Sequence, residues 1–143
     1  MDKKKLFKIM VNAEGSKLAE LTAKIKEQHS IIIIKEPNKT LAMIKIREPV
    51  KESLFYIGEV MVCEAVVELD GVKGIAVTQG DDFGKTLDMA IIDAACNKGV
   101  FADETALLEL ERAQEECIRK ENALHLKTMV SFTSMDQEVQ NNV

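Results

Sequence analysis

At 143 residues, 46% hydrophobic and 30% charged, the chain is long enough for one compact domain with a real core. Its net charge of −5 argues against nucleic acid as a main partner. Three widely spaced cysteines, no Cys-x-x-Cys and only two histidines offer no metal-ligand spacing, and no apolar run is long enough to cross a membrane.

Aromatic residues are scarce, so the core must rest on Ile, Val, Leu, Ala and Met. Charge is uneven: residues 1–75 carry 13 Lys/Arg against 11 Asp/Glu, and residues 76–143 carry 6 against 13. The opening "MDKKKLFKIMV" has charge but no apolar stretch of leader length, so the expected compartment is the cytoplasm.

Taken in order, Leu6, Ile9, Met10 and Ala13 recur at helical spacing before "AEGS" breaks the pattern. Ser16 is placed to cap a second helix, which buries Leu18, Leu21 and Ile25 and ends near His29. These two form a helical hairpin. "IIII" (31–34) is apolar on both faces, as a covered strand requires. Pro37-Asn38 is expected to turn the chain, with "TLAMIKI" (40–46) returning as an antiparallel partner and Pro49 ending it.

The stretch from Leu54 to Thr78 is detailed enough to pair residues. Asp70-Gly71 is a two-residue hairpin signal, which sets Leu69 opposite Val72 and Glu68 opposite Lys73. Met61, Cys63, Ala65, Val67 and Leu69 share the core face. The other face carries Val60, Val62, Val66, Ile75 and Val77 beside Glu64, Glu68 and Lys73, which is too apolar for open water. A helix of this chain or another subunit must cover part of it.

From about Gly84 to Lys98 comes a helix apolar over most of its circumference, so it is buried on more than one side, and Gly99 ends it. Asp103 caps a last long helix with Ala106, Leu110, Ala113 and Cys117 on one face. "ALHLKTMVSF" (123–132) has extended character, and the polar tail is expected to be disordered. The layout is α+β: an N-terminal helical hairpin, an antiparallel sheet of about four to five strands and two C-terminal helices packed on it. Residues 1–132 form a single domain and 133–143 the tail.

"GDDFGKT" (80–86) ends like a phosphate-binding P-loop, but only three residues separate Gly80 from Gly84 where four are needed to wrap a phosphate. Asp81 and Asp82 would stand where the polyphosphate sits, and the flanking hairpin is antiparallel where P-loop domains need parallel strands. The loop reads as a strand-to-helix corner, with Asp82 available to cap the helix or its dipole. Glu59 and Glu64 lie five apart on a strand and point to opposite faces, which disqualifies them as an acid/base pair. Asp93 is a carboxylate in a nearly all-apolar helix. It either bonds a neighbouring loop N–H or marks a buried site or subunit contact.

Four stretches together resemble the PhnG family, the small subunits of the bacterial carbon–phosphorus lyase core complex. They are "EPNKTLAMIKIRE" (36–48), "FYIGEVMVCEAVVELDGVKGIAV" (55–77), "GDDFGKTLDMAIIDAA" (80–95) and "ENALHLKTMV" (121–130). Gly58, Glu59 and Glu64 match the family's central hairpin; Gly80, Asp82 and Asp93 match its Gly-x-Asp loop and Ile-Asp-Ala helix. Lys85-Thr86-Leu87 replaces the family's His-Ala-Glu, and Leu126-Lys127 its paired aromatics, so roles resting on those side chains do not carry over.

The resemblance implies a subunit of a complex acting on ATP and a phosphonate, in which the phosphonate displaces adenine from the ribose C1. It further implies a larger nucleosidase-type subunit as chief partner. This chain would bind no cofactor or metal of its own, ATP being a substrate of the complex. Gly58, Glu59, Glu64, Gly80, Asp82, Lys85 and Asp93 are the candidate functional or interface positions, with no catalytic residue assigned. In isolation the chain is expected to self-associate. The alternative from another class is a stand-alone homo-oligomeric protein binding a small anion at the helix N-terminus near Gly84–Thr86.

Overall fold

Asp70 and Gly71 turn the chain with φ values of 46° and 88°, the left-handed pair that a type I′ turn requires. In this computed structural model, which describes residues 1–132, the turn joins β2 (Leu54–Leu69) to β3 (Val72–Gln79). Leu69 stands opposite Val72 and Glu68 opposite Lys73, the register set by the turn chemistry. β1 (Ile31–Arg47) lies antiparallel along the other side of β2, giving three strands in the order β1-β2-β3.

Three strands replace the four to five expected, because Pro37-Asn38 does not turn the chain. β1 runs straight through it. As an edge strand, β1 tolerates a residue that cannot donate to the ladder, and register shifts on either side of Lys35 absorb the irregularity. Nor is there a strand among the described residues after 122: the last helix continues to Lys127 and residues 128–132 are irregular. The tail expected at 133–143 lies outside the described residues.

Four helices complete the described residues: α1 (Lys3–Asn12), α2 (Gly15–Gln28), α3 (Phe83–Lys98) and α4 (Glu104–Lys127). Ser16 does not cap α2. Glu14 is the N-cap, without a side-chain bond, and Ser16 falls inside the first turn. Asp103 is the N-cap of α4, but its carboxylate turns to Lys24 Nζ at 3.1 Å instead of to the helix backbone. Gly99 ends α3 with φ 78°, as its position after the apolar run predicts.

The core forms where α3 lies on one face of the sheet. Cys63, Ala65, Val67 and Leu69 of β2 and Ala76 of β3 are fully buried on that side. Small residues set the distance. A Cβ on Gly74 would lie 2.2 Å from the Ala90 carbonyl oxygen and 2.5 Å from the Ala94 nitrogen, so only hydrogen fits between β3 and α3. On its far side α3 is covered by α2, whose Leu18, Leu21 and Ile25 are buried, while α1 packs on α4 through Leu6, Ile9 and Met10. The excess apolar surface of α3 is therefore housed by this chain itself. Met61 shares the core face by alternation but extends past the helices and is exposed.

Candidate functional site

The corner before α3 is a self-capped helix start. Gly80 takes φ 104°, the conformation that lets β3 turn into the helix. Asp82 Oδ1 accepts from the Lys85 backbone N–H at 3.0 Å, so its own carboxylate occupies the end of the helix where an anion would bind. Thr86 Oγ1 donates to the Asp82 carbonyl at 2.8 Å; Thr78 Oγ1 must then be the donor in its 2.8 Å bond to Thr86. Lys85 Nζ reaches away to the Val11 carbonyl at 2.6 Å and ties down the end of α1. The groups a phosphate would need are spent on the fold.

Asp93 is 1% exposed. Its Oδ2 accepts from the Ile75 backbone N–H at 3.1 Å, from Asn97 Nδ2 at 3.3 Å and from Lys3 Nζ at 3.4 Å. Oδ1 sits 3.3 Å from Lys3 Nζ, within ion-pair reach, but makes no hydrogen bond. One carboxylate thus joins β3, α3 and α1, and the backbone N–H it accepts from belongs to a strand, not to a loop. One turn on, burial and then the charge of Asp93 push the Cys96 thiol up to about 11, leaving it unreactive near neutrality.

A second cluster, with no signature in the sequence beyond the turn itself, gathers at the β2–β3 corner. Asp70 Oδ2 lies 2.6 Å from Lys98 Nζ and 2.8 Å from His29 Nδ1, and Oδ1 accepts the Ser30 N–H at 3.1 Å. The Lys98 bond first, then His29, hold the Asp70 carboxyl down to about 2. An ionised carboxylate only accepts, so His29 Nδ1 carries the proton of that bond. Three ends of elements are pinned together here, beside a groove of about 310 Å³ lined by Lys26, His29, Ile31, Ile33, Leu87 and Ile91.

The largest unsatisfied feature is the sheet. β3 pairs with β2 only as far as Val62–Gln79, so residues 54–61 of β2 have β1 as their sole strand neighbour. The two strands project as an arm. Alternation puts Ala42, Ile44, Ile46, Phe55 and Val60 on the continuation of the sheet's outer side; Ile32, Ile75 and Val77 are exposed there, Ala42 and Val60 are half-buried, and Val62 is buried. The other side of the arm carries Leu41, Met43, Leu54, Tyr56 and Met61 with Lys45, Arg47 and Glu59. Among the described residues, no helix covers either side there.

Nine large apolar side chains of the arm (Leu41, Met43, Ile44, Ile46, Leu54, Phe55, Tyr56, Ile57 and Met61) are each 38 to 62% exposed. At about 180 Å² for a full side chain, they leave on the order of 800 Å² open to water, one partner's share of a standard protein interface. A lone two-stranded hairpin is marginal in water, and this apolar area is open on both of its sides.

Most of the candidate positions do not converge. Gly58 and Glu59 are on the exposed arm, Gly58 beside the bulge at Ile57; Glu64 is half-buried at the base of the sheet, in an ion pair with Lys35. Gly80, Asp82 and Lys85 form the self-capped corner, and Asp93 is enclosed between β3 and α1. Among the described residues no three His, Cys, Asp or Glu side chains are grouped to hold a metal, and no helix is long and apolar enough to cross a membrane. The apolar outer face is legible in the sequence at Val60, Ile75 and Val77, whereas Lys45 and Arg47 carry no local signal.

Compared with known proteins, residues 1–137 match the family model described as "Phosphonate metabolism protein PhnG". The search of curated proteins gave no match.

Proposed function

The chain belongs to the PhnG family of phosphonate metabolism, and from that membership we propose that it is a non-autonomous subunit of the carbon–phosphorus lyase core complex. In this reading the complex joins a phosphonate oxygen to C1 of the ribose of ATP while the bond from C1 to adenine breaks. Adenine leaves with a proton, and the product is α-D-ribose 1-phosphonate 5-triphosphate. A larger nucleosidase-type subunit carries the bond-making step, with this chain required beside it. ATP is the substrate of the assembly and not a cofactor of this subunit, and the site of action is the cytoplasm.

One observation carries the reading: an apolar sheet face and arm of interface size accompany four candidate side chains, Glu64, Asp82, Lys85 and Asp93, spent on internal bonds. A protein that acted alone would need the reverse, a covered surface and a converging polar site. The deciding experiment is reconstitution. The isolated chain should release no adenine from ATP and methylphosphonate; added to the larger subunit, it should restore adenine release. Turnover by the chain alone, or full activity of the larger subunit without it, refutes the proposal.

A further inference from the structure

We propose that the β1–β2 arm, residues 40–47 and 54–61, is the docking element of this subunit. A single partner protein grips it on both sides, laying an apolar surface on the outer face and carboxylates against Lys45 and Arg47 on the inner one. The inference rests on the subunit reading and adds the surface and the chemistry of its occupant.

The two sides of the arm differ in kind. The outer side, with Ile44, Ile46 and Phe55, has no charge along the arm and can be matched only by another apolar surface. On the inner side Lys45 and Arg47 are two apart on a regular stretch of β1 and so point the same way. Lys45 rests over the Tyr56 ring, 5.5 Å from its centre, and Arg47 donates to the Glu52 carbonyl at 3.0 Å. Lys35 and Lys39, nearer the base, have Glu64 and Asp81 as partners. Among the described residues no carboxylate pairs with Lys45 or Arg47. Two cations held in place, with no carboxylate partner among the described residues, are a template for an acidic partner.

A second copy of this chain docking through the same β1 edge does not meet that description. β1 carries Lys35, Lys39, Lys45 and Arg47 against Glu36 in a chain of net charge −5. Pairing two β1 edges would bring cation to cation, and Pro37, inside the register shift between Lys35 and Asn38, interrupts the ladder such pairing needs. These features turn away a copy of the same edge while leaving the apolar faces available to a different protein.

The test uses the full chain and the purified larger subunit. Two variants are compared with wild type: Ile44→Asp for the outer face, and Lys45→Glu with Arg47→Glu for the inner. Both alter residues outside the buried core, and melting curves of the isolated chains should be unchanged. Ile44→Asp should abolish capture by the larger subunit. The double reversal should weaken it at least about tenfold, and raising salt should weaken wild type but not the reversal variant. Wild-type capture and activity by both variants would overturn the arm proposal and leave the subunit reading standing. A wild-type chain that neither binds nor activates the larger subunit overturns both. Sedimentation of the isolated chain as a dimer that Ile44→Asp converts to monomer, with capture unaffected, would give the arm to a second copy and refute the acidic partner.

Discussion

Gly74 and Ala90 are in backbone contact: a methyl group on Gly74 would stand 2.2 Å from the Ala90 carbonyl oxygen. The obstructing atoms are helix backbone, which cannot swing aside as a side-chain tip would. Gly74→Ala should therefore push α3 off β3 and cost about 3 kcal/mol or more, the upper end of what overpacking a core costs. Urea denaturation measures it. A loss below about 1 kcal/mol would mean the helix shifts freely and the close approach of α3 to Gly74 is not what holds it.

Asp93 is the second structural hinge of the same interface. Asp93→Asn keeps an oxygen for the Ile75 N–H but gives up the charge beside Lys3, and should cost about 1–3 kcal/mol; Asp93→Leu, which leaves that N–H buried without a partner, should cost more. In the reconstituted complex, folded Asp93→Asn protein should support wild-type adenine release. A large fall in rate with stability intact would instead place this carboxylate in the chemistry.

At the corner of the β2–β3 hairpin the expectation concerns pH. The Asp70 carboxyl is held down to about 2 by Lys98 and His29, from an ordinary value of 3.8. A lowered folded-state value means the unfolded chain binds the proton first as pH falls. The stabilisation is whole above about pH 4 and is lost as pH drops towards 2. The stability gap between wild type and Asp70→Asn should narrow over that window, and Asn tolerates the left-handed turn position, so the turn survives the change. A gap constant from pH 5 to 2 would show that the pairing does not form.

Hydrogen exchange should separate the arm from the body of the sheet. Amides of 41–47 and 54–60 lie on strands with a single neighbour and open faces, while residues 63–69 of β2 are flanked by two strands and lie beneath α3. In the isolated chain the arm should exchange about 100-fold faster than 63–69, and it should become protected when the larger subunit is present. Equal protection in the isolated chain would mean the arm needs no partner for its order.

What the sequence determined by itself was governed over short distances. The Asp70-Gly71 turn set the register of β2 and β3, alternation sorted Cys63, Ala65, Val67 and Leu69 onto the buried face, and Gly99 stopped α3. Each depends on backbone conformation or period within a few residues. The family, too, was legible in four local stretches. Tertiary structure decided the rest. Pro37 passes through β1 because that strand became an edge, and α3 keeps its apolar girth because α2 and the sheet enclose it. Lys85 went to Val11 and Asp93 to Ile75 and Lys3, partners 74, 18 and 90 residues away that no local pattern can name. Where the helices stop along the sheet is likewise a matter of three-dimensional reach, and it leaves the arm bare. Met61 and Cys63 share one face of one strand, yet only Cys63 lies far enough in to be covered.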